Sequence, residues 1–211
     1  MPGGVSLRDA TALLADGRTA LTLTDRAALR AGDTVLVEAA AGGVGTLIVQ
    51  LARNAGARVV ALAGGERKLR LARDLGADVA VDYGAGDWTA QVRAAVGGVD
   101  VVFDGVGGHI GRAAFDLLGP GGRFCPFGMA SGSFAPVTGE LARARQVAVL
   151  TGGPPDAGQL RGFALTALAE AAAGRIRPVV GQECDLARAA DAHASIEART
   201  TIGKTLLAVA G

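Results

Sequence analysis

The chain has little of what usually announces a function. Its two cysteines, Cys125 and Cys184, lie far apart and without metal-ligand spacing, which excludes a disulfide framework and points to a reduced, intracellular setting. Its two histidines, His109 and His193, have no partners in sequence. No HExxH, CxxC or Ser–His–acid arrangement is present, so zinc chemistry and triad hydrolysis lack residues and no metal is expected. Neither sign of charge dominates: 21 Lys and Arg face 20 Asp and Glu, a formal net charge of +1, with no basic cluster, which argues against a nucleic-acid surface. No apolar run reaches the roughly 18 residues of a membrane span. The opening MPGGVSLRDA lacks the basic-then-apolar plan of a secretory leader, so the cytoplasm is the expected location. Aromatic residues are only 4% of a chain that is 50% hydrophobic, so its core must be built from Ala, Val and Leu. That composition suits buried parallel strands covered by small-residue helices.

Glycine, by contrast, is abundant, and the stretch TVLVEAAAGGVG at residues 34–45 puts it to use. A short apolar strand runs into a glycine turn. A helix-period stripe follows, Val44, Leu47, Ile48, Leu51, Ala52 and Ala55, and Gly56 stops it. The spacing is AxxGxxG (Ala39, Gly42, Gly45, with Gly43 added) rather than GxGxxG, because Ala40 stands where the first glycine would be. A helix that begins on such a turn points unpaired N–H groups and the positive end of its dipole outward. Gly42, Gly43, Val44 and Gly45 are therefore the expected pyrophosphate cradle.

Strand and helix patterns then alternate. Strands are expected at 58–62, 78–83, 99–104, 122–127 and 146–151, and helices at 66–75, 87–96 and from Ile110 to Leu118. Two helical stretches before the glycine turn, one near Ser6 to Leu14 and one over 18–29, are separated near Gly17. The rhythm predicts an α/β fold, a doubly wound parallel six-stranded sheet of the Rossmann type. Composition shifts at Gly152, Gly153, Pro154 and Pro155. The division expected is a cofactor-binding domain over 1–153 and a C-terminal segment over 154–211 from a second layer. In the latter, Asp156 caps a helix, 175–180 is extended, 185–197 helical and 204–210 a strand.

A site that prefers NAD usually carries an acid at the end of the second strand. Here that place holds Leu62, Ala63, Gly64 and Gly65, followed by Arg67 and Lys68, which favours a 2′-phosphate and hence NADPH. The plainer alternative makes Arg67 and Lys68 a solvated helix face, with Glu66 as a displaced ribose ligand. Asp104, Gly105, Val106 and Gly107 end the fourth strand, and Phe127 and Gly128 end the fifth, on the sheet edge where such folds bind ligands. His109 and His193 read as surface or structural residues, and Cys125 as core.

The run AAAGGVGTLIVQLARNAGARVVALAGGERKLRLARDLGADVAVDY resembles the cofactor domain of medium-chain dehydrogenases/reductases, in particular the zinc-independent quinone oxidoreductase branch. The ending IRPVVGQECDLARAADAHASIEARTTIGKTLLAV is similar to that family's C-terminal segment. The resemblance implies that the glycine turn holds the NADPH pyrophosphate and that Lys68, Tyr83 and Arg199 hold the 2′-phosphate, with Gly64 standing where serine is common. It implies a quinone or enone as the small-molecule electrophile and a homodimer paired through the sixth strand. The family's catalytic lobe, which precedes the cofactor domain, has no counterpart in this sequence, and no catalytic residue is assigned. A non-catalytic NADPH-binding module and an enoyl reductase element of a polyketide assembly are the alternative readings.

Overall fold

The computed structural model describes residues 3–153 and 155–209. In chain order its elements are α1 (Leu7–Ala27), β1 (Thr34–Val37), α2 (Gly43–Asn54), β2 (Arg58–Ala63), α3 (Glu66–Asp74), β3 (Val79–Asp82), α4 (Trp88–Val96) and β4 (Val99–Asp104). There follow α5 (Gly108–Phe115), β5 (Leu118–Pro126), α6 (Gly139–Ala144), β6 (Ala148–Val149), α7 (Ala157–Ala172), β7 (Val180–Asp185), α8 (Ala189–Glu197) and β8 (Lys204–Ala208). Six strands form one parallel sheet in the order β3-β2-β1-β4-β5-β6. The chain winds outward from β1 through β2 and β3, then returns to lay β4 on the other side of β1. That reversal opens a crevice above the C-terminal ends of β1 and β4.

Strand alternation divides the core. Val35 and Val37 of β1 face one apolar layer with Leu47, Ile48, Val101 and Phe103, which α1 and α2 cover. Leu36 points into the opposite layer with Val60, Leu62, Trp88, Val102 and Ile110, under α4 and α5. Phe115 and Phe124 pack edge to face in the second layer, ring centroids 5.4 Å apart.

Several boundaries differ from those expected. The two helical stretches near the start are one 21-residue helix, α1, which passes straight through Gly17. A Cβ at Gly17 would lie 2.8 Å from the Cβ of Ala167 on α7, so this glycine marks where two helices touch rather than where one stops. Leu117 and Leu118 do not extend α5. That helix ends at Phe115, and Leu118 already pairs with Val99 to begin β5, a nine-residue strand with an irregularity in its register. The sixth strand shrinks to Ala148 and Val149, and the short helix α6, capped by Thr138, was not foreseen.

In the tail the strand lies at Val180–Asp185 rather than 175–180. It pairs in parallel with β8 as a separate two-stranded sheet, the second layer expected from the loss of rhythm. The helix expected over 185–197 starts as a 3-10 turn and becomes regular only at Ala189. Pro154 and Ala210, placed in a linker and in the final strand, lie outside the described residues. Helix α7 begins on a reciprocal capping box between Asp156 and Gln159. The segment after it is bound to α2: the Gln50 amide exchanges two hydrogen bonds with the Arg177 backbone (3.0 and 2.8 Å), and Asn54 donates to the Arg175 carbonyl (2.7 Å).

Candidate functional site

A cleft of about 180 Å³ opens at the C-terminal ends of β1, β2 and β4. Its floor is the glycine turn. Ala39 adopts a left-handed backbone (φ 47°) that turns the chain out of β1, and its carbonyl accepts from Gly42 N–H at 2.8 Å. The same carbonyl blocks any side chain at Gly45: a Cβ there would collide with it and stand 2.9 Å from the Ala39 carbonyl carbon. A Cβ at Gly43 would run into the Asp16 carboxylate of α1. These two glycines let strand, helix and α1 close on one another, while Gly42 lines the cleft.

The second wall is the neutral end of β2. Gly64 lies against Tyr83, whose hydroxyl would be 3.6 Å from a Cβ at that position. Lys68, in the first turn of α3, is half-buried and its Nζ donates to the Arg199 carbonyl at 2.6 Å. Burial, and then the charges of Arg199 and Arg67, lower the Lys68 pKa from its ordinary value. Burial likewise raises that of Tyr83, opposed by Arg199. The nearby acids are committed elsewhere. Asp82 accepts from the backbone N–H groups of Gly65 (2.9 Å) and Gly84 (2.7 Å), and Glu66 pairs with Arg73 at 2.8 Å.

The tail supplies the third wall. Gly203 N–H donates to the Ala41 carbonyl at 2.7 Å, Lys204 pairs with Asp16 at 2.9 Å, and Ile196, Arg199 and Thr201 line the cleft. Arg199 also has a left-handed backbone (φ 56°), and its Nη2 donates to the Ala130 carbonyl at 2.8 Å. Of the residues singled out in the sequence, Gly42, Gly64, Lys68, Tyr83, Val106 and Arg199 meet in this one cleft. Gly43, Val44 and Gly45 form the first turn of α2 at its floor. Asp104, Gly105, Phe127 and Gly128 stack as the layer beside it. There Phe127 and Gly128 donate to the Asp104 carbonyl at 2.9 and 3.2 Å, and a Cβ on Gly105 would lie 2.7 Å from the Phe127 ring.

His109 is exposed and lines a separate hollow, and His193 is exposed on α8. Cys125 is buried in the core, and that burial pushes its thiol up to about 12. Sequence reasoning missed Ala130, Ile196 and Thr201, for which no local signal exists. It also missed Glu38, whose signal was visible as an acid directly after an apolar strand.

Fold and cleft together define a Rossmann-type α/β domain. A family model described as zinc-binding dehydrogenase matches residues 43–158. Quinone oxidoreductase-like protein 2 of Bos taurus is 36% identical over 218 residues, covering 99% of this chain and 62% of its own length. A mycocerosic acid synthase-like polyketide synthase of Mycolicibacterium smegmatis is 40% identical over 131 residues, 61% of this chain and 6% of that protein. Among solved structures, a mycobacterial protein complexed with NADPH superposes with a TM-score of 0.88 at 33% identity, over 99% of this chain and 66% of that one. The chain belongs to the zinc-binding dehydrogenase family, as a quinone oxidoreductase-like member of the medium-chain dehydrogenases/reductases. It spans about 62% of the length of the bovine relative. Among the described residues, no group of three or more His, Cys, Asp or Glu side chains is disposed to hold a metal, and no helix is long and apolar enough to cross a membrane.

Proposed function

We propose that this chain is the cofactor-binding portion of an NADPH-dependent oxidoreductase that passes hydride to an electron-poor quinone or enone. One observation carries the reading: Lys68, Arg199 and the Tyr83 hydroxyl converge beside a β2 end that offers no acid, while the neighbouring carboxylates are already engaged. A site of this kind fits a phosphate dianion and does not fit a pair of ribose hydroxyls. Lys68 and Arg199 would hold the 2′-phosphate with Tyr83. The N–H groups opening α2 at Gly42 to Gly45 would hold the pyrophosphate, and Val106 with the Gly105 turn would flank the nicotinamide half. The cofactor supplies the hydride; the protein binds, orients and shields it. No residue of this chain is assigned to the chemical step.

Titration with NADPH and NADH, followed by turnover with quinones and enones, tests the proposal. Tight NADPH binding with no oxidation of it by any acceptor would reduce the chain to a non-catalytic binding module. Saturable turnover of an enoyl thioester in preference to quinones would favour an enoyl reductase element, the reading that the polyketide synthase similarity supports. Lys68→Ala is expected to weaken NADPH by about 1–3 kcal/mol, the range for charge-assisted hydrogen bonds, and to leave NADH nearly unchanged. Equal losses for the two cofactors would refute the assignment of Lys68.

The rest of the proposal follows from the resemblance and the topology. Residues 1–153 act as the cofactor domain, and 154–211, which lend Arg199 to its cleft, resemble the remainder of the catalytic domain. The chemistry runs without zinc in the cytoplasm, and two copies pair through the β6 edge. Sedimentation of a monomer at micromolar concentration would contradict that pairing.

A further inference from the structure

Glu38, directly after β1, and Asp104, the last residue of β4, are both wholly buried beneath the floor of the cleft. Among the described residues neither forms an ion pair. Asp104 Oδ1 accepts from the Gly107 N–H at 2.6 Å and the Val106 N–H at 3.1 Å. Glu38 Oε2 accepts from that same Val106 N–H at 3.1 Å. The other two oxygens, Glu38 Oε1 and Asp104 Oδ2, are buried without a partner. Asp104 also nests against Gly111 in α5, where a Cβ would come within 2.6 Å of Oδ2.

Two buried carboxylates without a counter-ion cannot both stay ionised. A single proton shared between them would satisfy both orphan oxygens, because a protonated carboxyl is a donor and an ionised one an acceptor. Burial, and next the hydrogen bond and charge of Asp104, hold the Glu38 carboxyl well above the usual carboxylate range. The other groups bearing on it are few. Tyr83 beyond β3 feels its charge. On α5, His109 is exposed and Arg112 is tied to Asp116 at 3.1 Å, and β2 ends in Leu62 and Ala63.

We propose that Glu38 is a positioning residue: it keeps its proton inside the fold, donates it to Asp104, and the proton-sharing pair holds the Val106–Gly107 turn against the cofactor. Val106, whose N–H both acids grip, lines the cleft, as does Ala39 next to Glu38. The inference rests on reading this cleft as the NADPH site. A bound pyrophosphate brings negative charge to the floor and covers it from water, and both effects disfavour ionised Glu38 further. Cofactor uptake and Glu38 protonation therefore reinforce one another, and by linkage affinity falls as the pH rises through the Glu38 titration.

The test measures NADPH and NADH dissociation constants from about pH 6 to about pH 9 for the wild type, Glu38→Gln and Glu38→Leu; a single linked proton changes affinity by at most about tenfold per pH unit. Wild-type affinity for both cofactors is expected to fall over the pH range in which Glu38 loses its proton, and to stay level while it is held. Glu38→Gln, which donates without titrating, should bind with a flatter profile. Glu38→Leu should remain folded, as read from Trp88 fluorescence, and lose about tenfold or more at every pH, since it strands Asp104. Using NADH removes the contribution of Lys68 and the 2′-phosphate. Infrared spectroscopy of the cofactor-free protein should show the stretch of a protonated carboxylic acid at neutral pH that Glu38→Gln lacks. Absence of that band, or its loss with rising pH without a matching fall in wild-type affinity, would overturn the proposal. Loss of binding in every form with the band intact would instead sink the cofactor reading.

Discussion

Gly45→Ala destabilises the protein by about 3 kcal/mol or more, the upper end of overpacking, and abolishes cofactor binding with it. The size follows from what the new methyl group meets. It strikes the Ala39 carbonyl and comes within 3.0 Å of Ala40 Cα, and these are backbone atoms that no rotamer change can move aside. Ala39 and Ala40 cannot retreat either. The Ala39 carbonyl accepts from Gly42, and Ala40 N–H donates to the Leu62 carbonyl at 3.0 Å, so a shift would loosen the turn from β2. Denaturant unfolding followed by Trp88, the single tryptophan and a buried one, measures the loss. Gly162→Ala is the control. That glycine lies inside α7 with open space around it, so the same substitution should stabilise by about 0.5–1 kcal/mol through helix propensity. Equal stability of Gly45→Ala and wild type would show that the turn is not packed as described.

Arg123→Ala is expected to cost about 3 kcal/mol, near the value for breaking a largely buried ion pair by removing one partner. Its side chain is only 17% exposed and that of Asp33 12%. From β5 the guanidinium reaches Asp33 at 2.7 Å and donates to the Ala27 and Ala28 carbonyls at 2.7 and 2.9 Å. It thus caps the C-terminus of α1, where Ala28 turns left-handed (φ 46°), and ties that helix to the sheet. Asp33→Asn should cost less, because the cap to α1 survives. The loss should reach the cleft as weaker cofactor binding, since α1 carries Asp16, the partner of Lys204 beside the glycine turn. Thermal and denaturant unfolding of both variants decide the matter; a loss under about 1 kcal/mol for Arg123→Ala would place the pair with ordinary surface bridges.

Where sequence reading succeeded, one local rule was enough. The β1 run, the AxxGxxG turn and the α2 stripe form one continuous pattern, and Gly56 and Gly76, both with positive φ, mark helix ends by a turn that glycine makes at least cost. It failed where neighbours outvote local preference. Gly17 looked like a break because only the approach of Ala167 explains it. Leu117 and Leu118 fit a helix stripe as well as a strand, and pairing with Val99 chose the strand. For the cleft, the neutral β2 end and Lys68 could be read directly. Tyr83 and Arg199 entered only through family resemblance, and the meeting of Glu38 with Asp104 required knowing that β1 and β4 are neighbours.

The hydrogen bond from Gly203 to Ala41 also has a kinetic meaning. It joins the residue just before β8 to the glycine turn after β1, far apart in the sequence, so the third wall of the cleft is made by one of the longer loop closures in the molecule. During synthesis the glycine turn and Lys68 emerge well before Arg199 and Thr201. A ribosome-bound chain can therefore have most of its sheet in place and still lack a finished cleft, which closes only once Arg199 and Thr201 have docked against the glycine turn.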